Sequence, residues 1–582
     1  MVKWLVSIMM VGSLLALTPV RAPIDDANQQ NVPGLPPAGR IQSDILTEAF
    51  VNNNSNRDYQ TNGPTATMLW AVFDEPIKGV YATMMFQNPP GVSGRHQVWN
   101  FFDINTDQWV RAGDNPYLAV DRGGYGNIAV IYGNATYLYH PAFTAHMDAT
   151  NYTGDAWWPD IPFDPRNFSG QYVQVPGQET NEVWPHLGFT MSGYLHKIFA
   201  DYDGHMSGVP YAIMYNRIPD LNNPAWDGYI PLETGGEAPW YGFYADPFGK
   251  TVVVSYCRTS TDYHTIMLID TMEGEMFYAG VPIEVDVTQE IINKFNLPPD
   301  YSGYINDGNP FVDKDGNIHL ITFITPPTWP DTFTRPTNIY HFFYNLSTGT
   351  SDASFIKSLT GPYQCSPGVN TLAAGRSQIG QERGLGTLYA VWEEFVPNRC
   401  VTSSNGYQRA VTRIVFATSK DNGATWAEQT LLVSDSVPGS DNNDWLRFPV
   451  ISPIIPHVGN LDLVYWGVYW DDDPGFVWRG IGANSTVKML VGRKEVGVEE
   501  APITLKDGRA KISWNGRNIT LEIPYKANAI LKILDETGRE ISTIFKGNIE
   551  GKHNLRWNGK SGVYFINLKT EKENIIQKII LK

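Results

Sequence analysis

Cysteine is scarce: the 582 residues hold only Cys257, Cys365 and Cys400. That excludes a disulfide scaffold and a Cys-based zinc cluster, and leaves room for one disulfide. Cys365 with Cys400 is one pairing, which spacing alone does not select. Charge is scarce as well, at 18% of residues, while aromatics reach 13%. Disordered chains have the opposite balance, so disorder is excluded as the main state. Basic charge is in deficit, with 43 Lys+Arg against 60 Asp+Glu and a net charge of −17. Nucleic acid and anionic membrane surfaces are bound through clustered positive charge, so neither is an expected partner. Beyond the N-terminus no apolar run reaches the ~20 residues of a spanning helix, so the mature chain has no transmembrane helix. No P-loop, G-x-G-x-x-G, H-E-x-x-H or G-x-S-x-G pattern occurs.

The N-terminus itself reads as an export signal over residues 1–22. Lys3 supplies the positive start, Trp4 to Leu17 the apolar stretch, and Val20-Arg21-Ala22 the small-residue end. Residues 23–40, rich in Pro, Asn and Gln, form a flexible leader. The chain then changes character near residue 495. From Gly497 to Lys582 there are 15 Lys+Arg and 10 Asp+Glu; the preceding part carries 28 and 50. Two cores of different chemistry, 41–495 and 497–582, are the simplest account.

Short apolar runs punctuated by 53 Gly and 40 Pro make both parts all-β. The large part repeats: a strand, a glycine turn, a second strand. Examples are Pro239-Trp-Tyr-Gly-Phe, Gly249, Lys250 to Tyr256, and Pro310-Phe-Val, Gly316, Asn317 to Phe323. Turn glycines are expected at 79, 126, 193, 249, 316, 386 and 459, since Gly takes a positive φ without strain. A β-rich unit of this length suits one four-stranded propeller blade, which leaves no free sheet edge inside the ring. Seven blades are expected, six being the alternative, with a strand near Ile41 to Phe50 closing the ring.

Ser419, Asp421, Gly423, Thr425 and Trp426 match S-x-D-x-G-x-T-W at every defined position. The stretch resembles the Asp-box of the BNR-repeat, sialidase-like β-propellers. The resemblance implies a structural turn on the face away from the ligand, and turn chemistry alone accounts for these residues. It also implies that the connections after each second strand form the ligand-facing rim. These hold His205, then Arg258 with Asp262 and His264, Trp329 with Arg335, Arg399, and Asp472 with Trp478. Trp157-Trp158 reads as another long connection. Aromatics beside Asp, Arg and His bind sugars or peptides by stacking and directed hydrogen bonds.

A sialidase would need three arginines, a tyrosine–glutamate pair and an aspartic acid. The one Arg217-Ile218-Pro219 falls in the third unit instead of ahead of the first box, and reads as a strand end closed by proline. No catalytic residue is assigned. Asp313-Lys314-Asp315-Gly316-Asn317 and Asp471 to Asp473 are oxygen-rich turns that admit Ca2+ or a plain turn reading.

The C-terminal part orders Asp535-x-x-Gly538-Arg539, Trp557-Asn558-Gly559 and Ser561-Gly562-Val563-Tyr564-Phe565 ahead of a closing strand. It resembles the sorting domain of type IX secretion and the related FlgD-like Ig module, a small β-sandwich. The resemblance implies contact with the secretion machinery and a destination outside, or on the outer surface of, a Gram-negative-type bacterium. The reading is therefore a secreted propeller that binds an extracellular glycan or protein; a sialidase-like glycoside hydrolase or lyase is the alternative.

Overall fold

The computed structural model describes residues 45–50, 66–74, 77–87, 95–110, 123–147, 153–167, 171–178, 181–233, 240–258, 262–303, 308–326, 337–359, 365, 373–402, 406, 408–434, 445–458, 461–471, 487–497, 511–515, 518–535, 539–560, 562–570 and 574–581. The signal and leader, residues 1–40, lie outside them. The chain divides into two compact units, Met1–Val496 and Gly497–Lys582.

The first unit is a β-propeller. Its described strands form seven antiparallel sheets that follow one another along the chain; five have four strands, and the second and seventh add a short fifth. The third sheet runs Glu182–Phe189, Leu195–Asp201, Ala212–Ile218, Ile230–Glu233. The fourth runs Tyr241–Ala245, Val252–Arg258, His264–Asp270, Ile283–Asp286. The sixth runs Ala374–Gln381, Leu388–Thr402, Gln408–Ser419, Ala427–Val433. The first strands of successive sheets touch in a closed cycle, from Leu69–Asp74 round to Trp445–Ile451 and back. The seventh sheet takes its outer strand from the other end of the chain: Ile45–Glu48 pairs antiparallel with Val487–Gly497.

Sheet faces pack on sheet faces, and this is where the aromatic residues go. Trp99, Trp157, Trp158, Trp392, Trp445 and Trp466 are fully buried. Trp157 and Trp158 sit in the strand Thr153–Pro159, not in a long connection. Two turn glycines also move. Gly79 lies inside the strand Ile77–Gln87, where a Cβ would stand 2.0 Å from the Phe101 ring. Gly126 interrupts the innermost strand of the second sheet, so Ile128–Val130 belongs to the first strand and Pro141–Met147 is the second. Gly193, Gly316 and Gly386 have positive φ in the hairpins as expected.

The turn Ser419–Trp426 is tied internally. Asp421 Oδ1 accepts from Thr425 N–H at 2.8 Å, and Asp421 Oδ2 from the Thr425 hydroxyl at 2.7 Å. Ser419 Oγ accepts from Gly423 N–H at 2.8 Å, and Trp426 Nε1 donates to Gly423 O at 3.1 Å. Gly423 has φ 84 and lies on the His341 ring, so any side chain there would collide. His341 in turn contacts His319 at 2.9 Å, and His319 contacts Asp313 at 3.1 Å. Asp313 itself accepts from the backbone of Asp315 and Asn317, which makes 313–317 a saturated turn.

Cys365 and Cys400 form a disulfide, and Cys257 is buried.

The second unit hydrogen-bonds as one five-stranded sheet through the long strands Asn518–Leu534 and Glu540–Arg556. Its core alternates along the first of these: Ile519, Leu521, Ile523, then Ala529, Leu531, Ile533. Asp535 closes the turn to Arg539, accepting from its N–H at 3.0 Å and pairing with its guanidinium at 3.1 Å. Trp557 meets Tyr564 edge-on at 4.7 Å.

Burial holds several imidazoles neutral. It pushes His186 and His196 down to about 3 and His140 down to about 4. His341 falls well below its ordinary value through burial and the neighbouring His319. In the unfolded chain each titrates near 6.5, so below that pH the unfolded state binds protons that the folded state refuses. Stability from this source is full above pH 6.5 and is lost as pH falls towards 4, by about 1.4 kcal/mol per unit for each such histidine. The melting temperature is expected to fall steadily from pH 7 to pH 5. A flat profile over that window would show that these imidazoles are not held neutral.

Candidate functional site

In an antiparallel meander, the connections from second to third strand and from fourth to the next first strand emerge at one end of every sheet. Those from first to second and from third to fourth emerge at the other. The first is called here the loop end and the second the turn end. The Ser419–Trp426 turn joins third to fourth strand in the sixth sheet, so it lies at the turn end. The described site residues from the sequence lie at the loop end.

The densest cluster is in the fourth sheet. Arg258 ends the second strand and pairs across to His264, which starts the third. The five-residue connection folds Asp262 back onto Arg258, with Nη2 to Oδ2 at 2.8 Å and Nε to Oδ1 at 3.2 Å. His264 Nδ1 meets Asp286 Oδ2 at 2.9 Å, and Arg258 Nη2 reaches the same oxygen at 3.3 Å. Asp286 also caps the helix Val287–Phe295, accepting from Gln289 N–H at 2.8 Å. His264 is thus a buried, carboxylate-held ring. Burial works to raise the Asp262 carboxyl, but hydrogen bonds from Arg258 and the His264 backbone hold it below its ordinary range.

Asp262, His264 and Asp286 place one ligand atom each within 4.8 Å of the others. A hard cation such as Ca2+ needs six to eight oxygens. Here the guanidinium of Arg258 already sits on both carboxylates, so Arg258 fills the cation's place and the set does not fit Ca2+. The saturated turn at Asp313 does not fit it either.

A second group lies next to it, on the third sheet. Trp184 and Tyr211 both take positive φ, which bulky residues rarely do, and their rings stack at 6.0 Å. Tyr202 closes the trio edge-on, at 5.3 Å from Tyr211 and 6.4 Å from Trp184. His205 is exposed in the same connection, its N–H donating to Asp203 at 3.1 Å. Tyr202 and Tyr263 are 41% and 42% exposed, one on each of these adjacent sheets.

Nearer the axis, Glu393 is buried between two arginines. Arg447 grips it at 3.0 Å through both Nε and Nη2, and Arg376 approaches at 3.2 Å. Arg376 and Phe448 repeat the positive φ of Trp184 at the same inner-strand position in the sixth and seventh sheets. Glu394, facing the other way, is held by Arg413 and Lys357.

Arg258, Asp262 and His264 are therefore brought together. His205 stands in the neighbouring sheet, and Arg399 is exposed on the extended hairpin of the sixth. Trp329, Arg335, Asp472 and Trp478 lie outside the described residues. Asp286, Tyr202, Tyr263 and the Arg376–Glu393–Arg447 group were not selected from sequence. Asp286 follows His264 by 22 residues, and only the strand pairing shows it as a partner.

Residues 515–582 match the family described as the secretion system C-terminal sorting domain. The protein is thus addressed for secretion or the cell surface. No curated protein matches the chain. Among solved structures it is similar to a Trypanosoma rangeli sialidase in complex with sialic acid, at 7% identity and TM-score 0.37, over 92% of this chain and 88% of that one. It is also similar to a NanB sialidase mutant from Streptococcus pneumoniae, at 10% identity and TM-score 0.32, over 76% and 70%. A thermostable family-43 glycoside hydrolase is similar at 12% identity and TM-score 0.26, over 57% and 89%. These values say nothing about chemistry, and the fold assignment rests on the sheet topology.

Deleting residues 497–582 is expected to leave a folded first unit that fails to reach the surface or the medium. Fractionation of the native host checks this. Arrival of the truncated chain outside the cell at normal levels would reduce the second unit to an accessory domain.

Proposed function

We propose that the first unit is a secreted or surface-displayed module that binds an extracellular glycan at the loop end of the ring. The observation that carries this reading is the pair of exposed tyrosines, Tyr202 and Tyr263, each beside fixed polar groups. A sugar ring stacks on an aromatic face and takes direction from hydrogen-bonding groups at its edge. His205 and Asp203 supply such groups on one sheet, and Arg258, Asp262 and His264 on the next. Arg399 joins them from the sixth sheet, and Trp329, Arg335, Asp472 and Trp478 extend the set by their place in the sequence.

The state of the carboxylates favours binding over hydrolysis. Glycoside hydrolysis needs one carboxyl kept protonated near neutral pH to act as acid. At the loop end, Asp262 and Glu394 are instead held below their ordinary range by hydrogen bonds and nearby cations that outweigh burial. Burial pushes one described carboxyl up, that of Asp246, but it belongs to a first-to-second connection at the turn end.

A glycan array with the full chain, run beside an assay on generic glycoside substrates, tests the reading. Binding without turnover is expected. The double variant Tyr202→Ala, Tyr263→Ala should weaken binding by about tenfold or more, which corresponds to ~1.4 kcal/mol, with the first unit still folded at the assay temperature. Undiminished glycan binding by that variant, capture of a protein ligand only, or turnover would each contradict it.

A further inference from the structure

The rings at the loop end of the third and fourth sheets are fixed from the backbone. Trp184, Tyr211 and Tyr263 all have positive φ, at 52°, 62° and 57°. Side chains of this size rarely adopt that conformation, and residues held so concentrate where a ligand is gripped. Tyr241 OH donates to Trp184 O at 2.5 Å, Tyr211 N–H to Asp201 O at 2.5 Å, and Tyr263 N–H to Arg258 O at 2.9 Å. Tyr202 N–H donates to Asn181 O at 3.0 Å. Trp184 and Tyr211 lie 15° from parallel, and Tyr202 stands at 74° and 88° to them. The three rings form an aromatic corner whose exposed member is Tyr202. An aromatic face is negative at its centre and attracts a cation within ~6 Å.

The charge placed around these rings is of one sign. The connections at this end of the two sheets, 176–181, 202–211, 234–240, 259–263 and 296–310, hold Glu179, Asp203, Glu237, Asp262, Asp300 and Asp307 and no Lys or Arg. The flanking connections, 148–152 and 325–336, add Asp148, and Asp331 with Arg335. The helix Val287–Phe295 turns aside, its Glu290 and Lys294 bonding Ser351 and Asp352 of the fifth sheet. Glu233, Glu284 and Asp286 bring three more carboxylates at the ends of the fourth strands. Among the described residues Arg258 is the guanidinium in their midst, and carboxylates already surround it: Asp262 at 2.8 Å, Asp286 at 3.3 Å and Glu284 at 3.7 Å. Lys197 is in the interior, paired with Glu182 at 2.6 Å.

We infer that the glycan bound here is cationic: a hexosamine oligosaccharide with free amino groups. The inference rests on the glycan reading above and names the class of sugar. A carboxylated or sulfated glycan would bring like charge to these carboxylates, which disfavours the complex. An N-acetylated sugar gains stacking and hydrogen bonds but no attraction between charges. An ammonium on the same sugar ring adds the pull of the aromatic faces and of the surrounding carboxylates. The rings suit a sugar or a cation, and the charge selects a sugar that is also a cation.

Titration calorimetry of the full chain with oligosaccharides of glucosamine, N-acetylglucosamine and galacturonic acid, equal in length, tests this at neutral pH and low salt. The glucosamine form is expected to bind about tenfold tighter or more than the N-acetylated one, and the galacturonate form not to bind. The advantage of the amine should shrink as salt rises, because salt screens exposed charges. Glu284→Gln with Asp300→Asn removes two exposed carboxylates and should cut that advantage by about threefold or more. If the pair lowers the melting temperature, Glu284→Gln alone gives the same reading. Tyr202→Ala with Tyr263→Ala should weaken both hexosamine forms, which separates stacking from charge. Equal affinity for the two hexosamine forms, preference for galacturonate, or an amine preference untouched by salt and by the lost carboxylates would overturn the inference and leave the glycan reading standing. Binding of none of the three would overturn it as well, and the glycan array then shows whether the reading beneath it falls too.

Discussion

The pairing of Ile45–Glu48 with Val487–Gly497 is the contact on which the first unit depends. Each sheet in the ring buries both faces against its neighbours, so no sheet has a complete environment until the last meets the first. The closing strand supplies that meeting with residues more than 400 positions apart. The seam is reinforced around it. Ala49 N–H donates to Met489 O at 3.0 Å, and Ala49 O accepts from Asn100 Nδ2 of the first sheet at 2.7 Å. Tyr469 OH donates to Thr83 O at 3.0 Å, and Ala71 N–H to Ser452 Oγ at 2.8 Å, both crossing from one sheet to the other. Backbone and buried side-chain hydrogen bonds are modest singly, but they gate burial of the apolar faces on both sides.

Closure also gives the ring two chemically different ends. The turn end is bound by tight hairpins, many tied by an acidic side chain that accepts backbone N–H groups, as at Asp313 and Asp421. The loop end carries ion-paired clusters and the strained inner-strand positions Trp184, Arg376 and Phe448. Bulky residues at positive φ persist only where their surroundings hold them, and here stacking and the Glu393 ion pairs do so.

Much of this was legible in the sequence, and the exceptions have physical reasons. Strand–glycine–strand repeats located most first and second strands, because hairpins at Gly193, Gly316 and Gly386 need positive φ. The same rule misread Gly79, which is small because Phe101 lies on it, and Gly126, which breaks a strand instead of ending one. Trp157 and Trp158 looked like loop residues because consecutive aromatics are rare in exposed strands. A strand buried on both faces has no such restriction. Within the site, Arg258, Asp262 and His264 could be grouped because a short hairpin holds them together. Asp286 and the Arg376–Glu393–Arg447 group come from separate strands, and spacing along a chain carries no signal for them.

Ring closure by the N-terminal strand is the central claim, and native-state hydrogen exchange tests it most directly. The full chain would be compared with one lacking residues 23–50. If the ring is one cooperative unit closed by that strand, protection should fall together in all seven sheets of the shortened chain, while Gly497–Lys582 keeps its own. Loss confined to Val487–Gly497, with the other six sheets as protected as before, would contradict the account.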